Sequence, residues 1–177
     1  RRRGGGLMEL EFEVTDLPAS DHPAVGEVAP DFTRPLVGPE YWANASLSEV
    51  VAAGPTLLVF HPMDGAFPAT YMYNAIDDHG FADEVQVVGV SISSPYEHTD
   101  LLAERAEGVG LFSDPDAGVA EAYDVANDLD GMAGVTEHRP AVFLLDTDRT
   151  VQYAWVADEW PAFPDYEEVA AAVADVA

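Results

Sequence analysis

Four short apolar runs, separated by segments with helical spacing, most constrain the fold of this chain. They cover residues 56–60, 85–92, 141–145 and 151–156. The second run is rich in β-branched residues, and runs of this length and composition are typical of strands. Continuous apolar strands that alternate with helices indicate a sheet covered on both faces. We therefore expect an α/β fold with a central mixed β-sheet and helices on both of its faces.

The helices of this fold are predicted from the spacing of apolar residues. They run from residue 69 to about 78, 97 to about 107, 118 to about 123 and 166 to about 176. Pro95 favours a helix start just before the second, and Asp165 is a suitable N-cap for the last. Residues 146–149, Asp-Thr-Asp-Arg, read as a tight turn between the last two strands. The sheet should therefore end in an antiparallel edge.

The length of 177 residues suits a single domain. Residues 1–7, Arg-Arg-Arg-Gly-Gly-Gly-Leu, are expected to be a tag or a disordered extension, and residues 8–177 to form one domain that begins at Met8. No run approaches the ~20 apolar residues that a membrane span needs. The basic start is followed by an acidic segment rather than an apolar signal core. These features predict a cytoplasmic protein without a membrane partner.

The charge balance is strongly acidic. The chain has 33 acidic residues against 7 basic ones, which are all arginine, and its formal net charge is −26. Such a surface repels itself in dilute buffer, whereas in molar salt the screening length falls to about 3 Å. The acids are scattered among apolar residues and so do not form a disordered tail. The pattern indicates adaptation to a salt-saturated cytoplasm, as in halophilic archaea, and argues against nucleic acid as a partner.

Several segments resemble one known family. Residues 57–72, Leu-Leu-Val-Phe-His-Pro-Met-Asp-Gly-Ala-Phe-Pro-Ala-Thr-Tyr-Met, read as a strand, a turn and a helix start. This resembles the active-site segment of peroxiredoxins of the alkyl hydroperoxide reductase/thiol-specific antioxidant family. Residues 26–32, 111–125 and 143–151 resemble further segments of that family, in the same order. The resemblance covers about residues 25–177 and implies a thioredoxin-like fold in its peroxiredoxin variant, commonly a homodimer.

The catalytic motif of that family is degenerate here. Its Pro-x-x-x-Thr-x-x-Cys pattern, which places a thiolate in the first helical turn, reads Pro62-x-x-x-Ala66-x-x-Ala69, and the chain has no cysteine. Thr70 cannot replace the thiol because an aliphatic hydroxyl is not ionised near neutral pH. The resemblance therefore implies a binding or structural module without peroxidase activity or a cofactor. The alternative is a thiol peroxidase whose nucleophilic cysteine was exchanged for Ala69 by engineering.

Residues 139 and 140 are a second departure from the family pattern. The family has an arginine three residues before Phe143, where this chain has Pro140 preceded by Arg139. We expect Pro140 to take the role of the cis-proline of thioredoxins, with a cis peptide bond. Arg139 then either points to the former site or forms a salt bridge. Together with the helix start, it predicts a vestigial pocket for a small anion, whose candidate residues are His61, Pro68, Thr70, Arg139 and Pro140.

A metal site is not predicted. Five potential ligands lie close together in the sequence: His61, Asp64, Asp77, Asp78 and His79. Their spacing matches no established ligand pattern. His61 stands where the family usually has an aromatic residue, and we expect it to line the core or the site. Exposed aromatic side chains near the helix start or around Trp160 would suit a contact between subunits.

Overall fold

The computed structural model describes residues 14–177, so the expectations for residues 1–7 and Met8 lie outside the described residues. The strands are β1 (Thr15–Asp16), β2 (Thr33–Val37), β3 (Trp42–Ser46), β4 (Thr56–Phe60), β5 (Gln86–Ser91), β6 (Gly110–Ser113), β7 (Ala126–Asn127), β8 (Glu137–His138), β9 (Ala141–Leu145), β10 (Val151–Val156) and β11 (Glu159–Trp160). The helices are α1 (Leu47–Val51), α2 (Phe67–Asp78), α3 (Phe81–Glu84), α4 (Pro95–Glu104), α5 (Gly118–Ala122) and α6 (Tyr166–Val176). Within residues 14–177, no helix has the length and apolar character to span a bilayer.

Seven strands form one mixed sheet in the order β10-β9-β4-β5-β6-β2-β3. Strands β4, β5 and β6 run parallel, while β9 pairs antiparallel with β4 and β10 antiparallel with β9. The predicted closing hairpin and the mixed sheet are thus confirmed. At the other end, the antiparallel hairpin β2–β3 joins β6 through two residue pairs, Leu36 with Phe112 and Val37 with Leu111.

Helices cover both faces of this sheet, as predicted. Along β4, Leu57 and Val59 pack on one side and Leu58 and Phe60 on the other, because successive side chains of a strand point to opposite faces. The first side carries buried residues of α2, α3, α4 and α6. The second carries those of α1 and α5. Two apolar cores therefore hold the sheet between them, and strands β4 and β9 are buried along their whole length.

Helix α2 begins two residues before the predicted start, at Phe67. Ala66 is its extended N-cap residue and Pro68 lies in its first turn, where the missing N–H is not needed. Helix α4 begins at Pro95, where Ser94 and Glu97 form a reciprocal capping box. Strands β2, β3 and β6, over residues 33–37, 42–46 and 110–113, were not predicted from the sequence.

The prediction of a cis bond before Pro140 is wrong. The cis peptide bond of the described residues is Trp160–Pro161, and the bond between Arg139 and Pro140 is trans. A trans bond keeps the chain extended between β8 and β9. The amide of Arg139 then donates to the carbonyl of Val125 at 2.8 Å, and the carbonyl of Pro140 accepts from the amide of Ala157 at 2.9 Å.

Candidate functional site

Two histidines and an aspartate meet at the carboxyl edge of the parallel strands. His61 directly follows β4, Asp64 lies in the turn before α2, and His98 lies in the first turns of α4. Because β4 and β5 are parallel neighbours, the segments that leave them start at the same edge of the sheet. Residues far apart in sequence are thereby placed side by side.

The carboxylate of Asp64 lies between the two imidazoles. Its Oδ1 is 2.8 Å from Nε2 of His61, and its Oδ2 is 2.6 Å from Nδ1 of His98. Both histidine side chains are fully buried and the Asp64 side chain is 7% exposed. The hydroxyl of Ser91 also donates to Oδ1, at 3.3 Å, and the amide of Asp64 donates to Oγ of Ser93 at 2.9 Å. The carboxylate is therefore fixed from several directions.

Burial and hydrogen bonding set the charges of this cluster. Burial lowers the pKa of His61 below its ordinary value, and the neighbouring Asp64 carboxylate partly opposes that effect. Burial acts to raise the pKa of Asp64, but the hydrogen bonds with His61 and His98 outweigh it and hold that pKa well below its usual range. Asp64 is consequently an anion at neutral pH, held in a poorly hydrated position.

Tyr73 supports the cluster from α2. Its hydroxyl lies 2.9 Å from Nδ1 of His61, and burial raises the pKa of this phenol well above its ordinary value. The phenol reaches His61 because residue 89 of β5 is glycine: a Cβ there would lie 1.9 Å from the Tyr73 oxygen. Gly89 therefore makes room for the hydroxyl that orients the imidazole of His61.

The degenerate motif residues form the start of α2 next to this cluster. Pro62, Pro68 and Ala69 are buried, and Ala69 is fully inaccessible to solvent. The Ala66 side chain makes no capping hydrogen bond, and its carbonyl accepts the amide of Ala69 at 3.1 Å. The first turn of α2 thus directs neither a thiol nor a hydroxyl from residues 66 and 69 toward the site.

An acidic cleft of about 370 Å³ opens beside the cluster. Its lining includes the half-buried Thr70 and four acidic side chains, those of Asp64 and of Glu97, Asp100 and Glu104 on α4, against one basic residue, Arg105. Carboxylates lining a cleft focus a negative potential there. This potential favours the approach of cations.

Arg139 is buried, with 3% of its surface exposed. Its Nε donates to the side-chain oxygen of Asn127 at 2.7 Å, and its Nη1 donates to the carbonyl of Ala157 at 3.0 Å. Neither partner is a carboxylate and neither lies on α2. Burial lowers the pKa of the guanidinium, with Asp124 and Asp158 opposing. These contacts bind Arg139 to β7 and to the segment that follows β10, and anion binding by the predicted pocket stays a prediction.

A second buried network surrounds Asp114. Its Oδ1 accepts from Nε of Arg34 at 3.0 Å, and its Oδ2 accepts from Nε2 of His138 at 2.8 Å and from the amide of Val119 at 3.0 Å. Burial acts to raise the pKa of Asp114, and the hydrogen bond from His138 is foremost among those that hold it below the ordinary value. The network ties α5 to β2 and β8, which is a structural role.

Two of the three cluster residues were among the potential ligands noted in the sequence. Of the five potential ligands grouped in the sequence, His61 and Asp64 come together, whereas Asp77, Asp78 and His79 are exposed at the end of α2. His98 was not predicted. A signal for it existed, because a histidine in the first turns after a parallel strand is placed at the carboxyl edge of the sheet.

Comparison with known proteins found a matching family model and several relatives. A family model described as the AhpC/TSA family matches residues 25–154. The chain is 29% identical over 142 residues to the putative peroxiredoxin ycf42 of Pyropia yezoensis, covering 75% of this chain and 68% of that protein. It is 25% identical over 146 residues to the chloroplastic 2-Cys peroxiredoxin BAS1 of Spinacia oleracea, covering 78% of this chain but 54% of that protein. The chain thus spans about half the length of the spinach relative.

Solved structures of peroxiredoxins share the architecture. The reduced 2-Cys peroxiredoxin of Plasmodium vivax superposes with a TM-score of 0.68 at 22% identity, covering 85% of this chain and 94% of that one. Peroxidoxin BcpB of Mycobacterium tuberculosis gives 0.69 at 21% identity, covering 88% and 99%. The predicted thioredoxin-like fold, in its peroxiredoxin variant, is confirmed. Because the matched family model covers well over half of the residues, this chain belongs to the AhpC/TSA family.

Proposed function

We propose that this chain is a peroxiredoxin-family protein that does not turn over hydroperoxides and serves as a self-associating binding module. The observation that carries the proposal is the absence of cysteine from all 177 residues, with a fully buried Ala69 where the family motif has its thiolate. A methyl group has no lone pair with which to attack a peroxide oxygen. Pro62 and Ala66, the other defining residues of the motif here, supply no nucleophile either.

The surroundings of Ala69 support an old rather than a recent loss of activity. Ala66 replaces the threonine of the motif as well, which a mutation aimed at the thiol would have left unchanged. Pro140 occupies the place of the family arginine, and the guanidinium of Arg139 is held by Asn127 and Ala157. Three separate parts of the peroxide-binding machinery are therefore altered together. Gradual change after the loss of catalysis accounts for all of them.

Exposed aromatic side chains support self-association as a homodimer. Tyr71 on α2 is 56% exposed and Phe163 is 37% exposed, and their ring centroids are 5.7 Å apart. Trp160, which is nearly buried, lies behind them against Phe67. Aromatic residues are enriched in the cores of protein interfaces. Because each chain has a net charge of −26, we expect this association in a salt-rich cytoplasm, where salt screens the repulsion between chains.

The test is peroxide turnover in molar salt, with a dithiol reductant in excess. The wild-type chain should consume hydrogen peroxide no faster than a heat-denatured sample. Ala69→Cys should add at most the slow reaction of an ordinary thiol, because the threonine and arginine partners are not in place. Ala75→Cys, which puts a cysteine on the same helix away from the motif, is the matched control.

The proposed function and the alternative, a thiol peroxidase with an exchanged cysteine, predict different results for Ala69→Cys and Ala75→Cys. If the chain were a thiol peroxidase with an exchanged cysteine, Ala69→Cys would restore many turnovers and exceed Ala75→Cys by several orders of magnitude. Sustained turnover by the purified wild-type chain would overturn the proposal directly.

A further inference from the structure

The cluster of His61, Asp64 and His98 has the composition of a metal site. Each residue offers one ligand atom, and these atoms all lie within 4.8 Å of one another. The side chains come from three different segments and are buried or nearly so. A buried constellation of two imidazoles and one carboxylate differs from the exposed acidic groups that are common on this surface.

The contacts of His98 leave a position between its ring and Asp64 that either a proton or a metal ion can fill. Its Nε2 lies 2.8 Å from the carbonyl oxygen of Phe112. A carbonyl only accepts, so Nε2 must carry a hydrogen. In the neutral tautomer Nδ1 then presents a lone pair to a carboxylate oxygen of Asp64 at 2.6 Å. Two acceptors at this distance need a proton or a metal ion between them.

The outer partners of both histidines suit metal binding. Histidine ligands of metals almost always donate their second ring N–H to a carbonyl, a carboxylate or water. His98 already does so with Phe112. His61 has the Tyr73 hydroxyl 2.9 Å from Nδ1. A phenol oxygen accepts as well as donates, so this contact persists when His61 gives the lone pair of Nε2 to a metal.

We propose that His61 Nε2, His98 Nδ1 and the Asp64 carboxylate bind a divalent transition-metal ion of the Zn²⁺ class. Two imidazoles favour zinc and its neighbours over Mg²⁺ and Ca²⁺, which prefer oxygen ligands. In a tetrahedral zinc site with bonds of 2.0–2.1 Å, the ligand atoms are about 3.3 Å apart. The present separations of 2.8 and 2.6 Å, which end on the two different oxygens of Asp64, would therefore have to widen by about 0.5 and about 0.7 Å.

The acidic cleft gives the ion an access route and an open position. Asp64 lines both the cluster and the cleft, and Glu97, Asp100 and Glu104 attract cations to its mouth. Three protein ligands leave a fourth position for water or a small ligand. This inference deepens the proposed function by naming what the module binds. It is tested by metal titration without peroxide, so its failure is distinguishable from that of the proposed function.

The experiment is a calorimetric titration of chelator-treated protein with ZnSO₄ in about 1 M sodium sulfate, which shortens the screening length to roughly 3 Å or less. Sulfate is used because chloride competes for zinc. The salt suppresses loose binding to the acidic surface. We expect a single equivalent of tightly bound zinc. Loss of an outer partner alone weakens metal binding ~10–100-fold, so Asp64→Asn and His98→Gln should weaken it by at least ~100-fold.

The matched control is His79→Gln, which removes an exposed histidine at the end of α2. It should bind zinc like the wild type. Circular dichroism checks that each variant is folded. If both cluster variants unfold, the visible absorption spectrum of Co²⁺ added to the wild type tests the site instead. Cobalt in a four-coordinate site absorbs visible light much more strongly than octahedral aqueous cobalt. Equal zinc affinity in the wild type and Asp64→Asn, or an octahedral cobalt spectrum in the wild type, would overturn the proposal.

Discussion

Replacing Glu137 with glutamine should stabilise the folded chain above neutral pH and have a smaller effect in acid. Glu137 lies on β8 and is 1% exposed. Burial first, then a hydrogen bond with Asp130 that needs the protonated form, and then the charges of Asp130 and Asp128, raise the pKa of Glu137 to about 7. The native state therefore holds this side chain in a position that disfavours its charged form.

The size of the effect follows from proton linkage. The ordinary pKa of such a group is 4.5. Between pH 4.5 and about 7 the folded chain holds more protons than the unfolded chain, so the free energy of unfolding falls as pH rises. At about 1.4 kcal/mol for each pH unit, ionisation of Glu137 costs the folded state roughly 3 kcal/mol. Glutamine stays neutral, so its advantage should grow from about 1 kcal/mol near pH 5 to about 3 kcal/mol near pH 8.5.

The assay is urea denaturation followed by tryptophan fluorescence, in about 2 M KCl at a series of pH values. The exposed Glu107 supplies the control variant Glu107→Gln, which should show no such trend. A stability difference between Glu137→Gln and the wild type that stays constant with pH, or that grows toward acid, would refute the reasoning.

Three further predictions concern packing, association and charge. Gly89→Ala should lower the free energy of unfolding by about 1–3 kcal/mol or more, because its Cβ would lie 1.9 Å from the Tyr73 oxygen. The control is Gly38→Ala, whose new Cβ has no atom within 4 Å, and equal Tm values for the two variants would contradict this reason. Tyr71→Ser should shift the mass measured by light scattering from dimer toward monomer, whereas Tyr96→Ser, at a tyrosine 71% exposed outside the aromatic cluster, should not. Raising KCl from about 0.1 M to about 3 M should raise the Tm by several degrees, because the screening length falls from ~10 Å to below ~3 Å; a Tm that falls or stays constant would count against salt adaptation.

The sequence predicted the half of the sheet around β4 better than the half that contains β6, β2 and β3. Strands β4, β9 and β10 were placed to the residue. For β4 and β9 the reason is that both faces of each are buried and the chain there is continuously apolar. Strand β2 contains Pro35, which cannot donate to a strand ladder and argues against a strand. Strand β3, Trp-Ala-Asn-Ala-Ser, shows little apolar alternation. These segments become strands because they pair with each other and with β6. The local sequence does not encode that pairing.

The candidate site was predicted in part, for a related reason. His61 was expected to line the core or the site, and the structure places it, fully buried, beside Asp64. Its partners, however, were sought among residues near it in sequence. His98 is 34 positions from Asp64 and joins it through the parallel pairing of β4 and β5. The cis bond before Pro140 was inferred from resemblance to thioredoxins, and the extended connection from β8 to β9 decided otherwise.

The hairpin β2–β3, at one edge of the sheet, has few backbone pairs with its neighbour β6. Two residue pairs join it to β6, whereas five join β4 to β5. The hairpin β2–β3 should therefore detach before the rest of the chain unfolds, because local opening costs less free energy than global unfolding. Amide exchange would detect this detachment as an early loss of protection over residues 33–46. Detachment leaves β6 with unpaired backbone groups, which template pairing with another chain. The first species to aggregate would then be a molecule that is native except for the detached hairpin β2–β3.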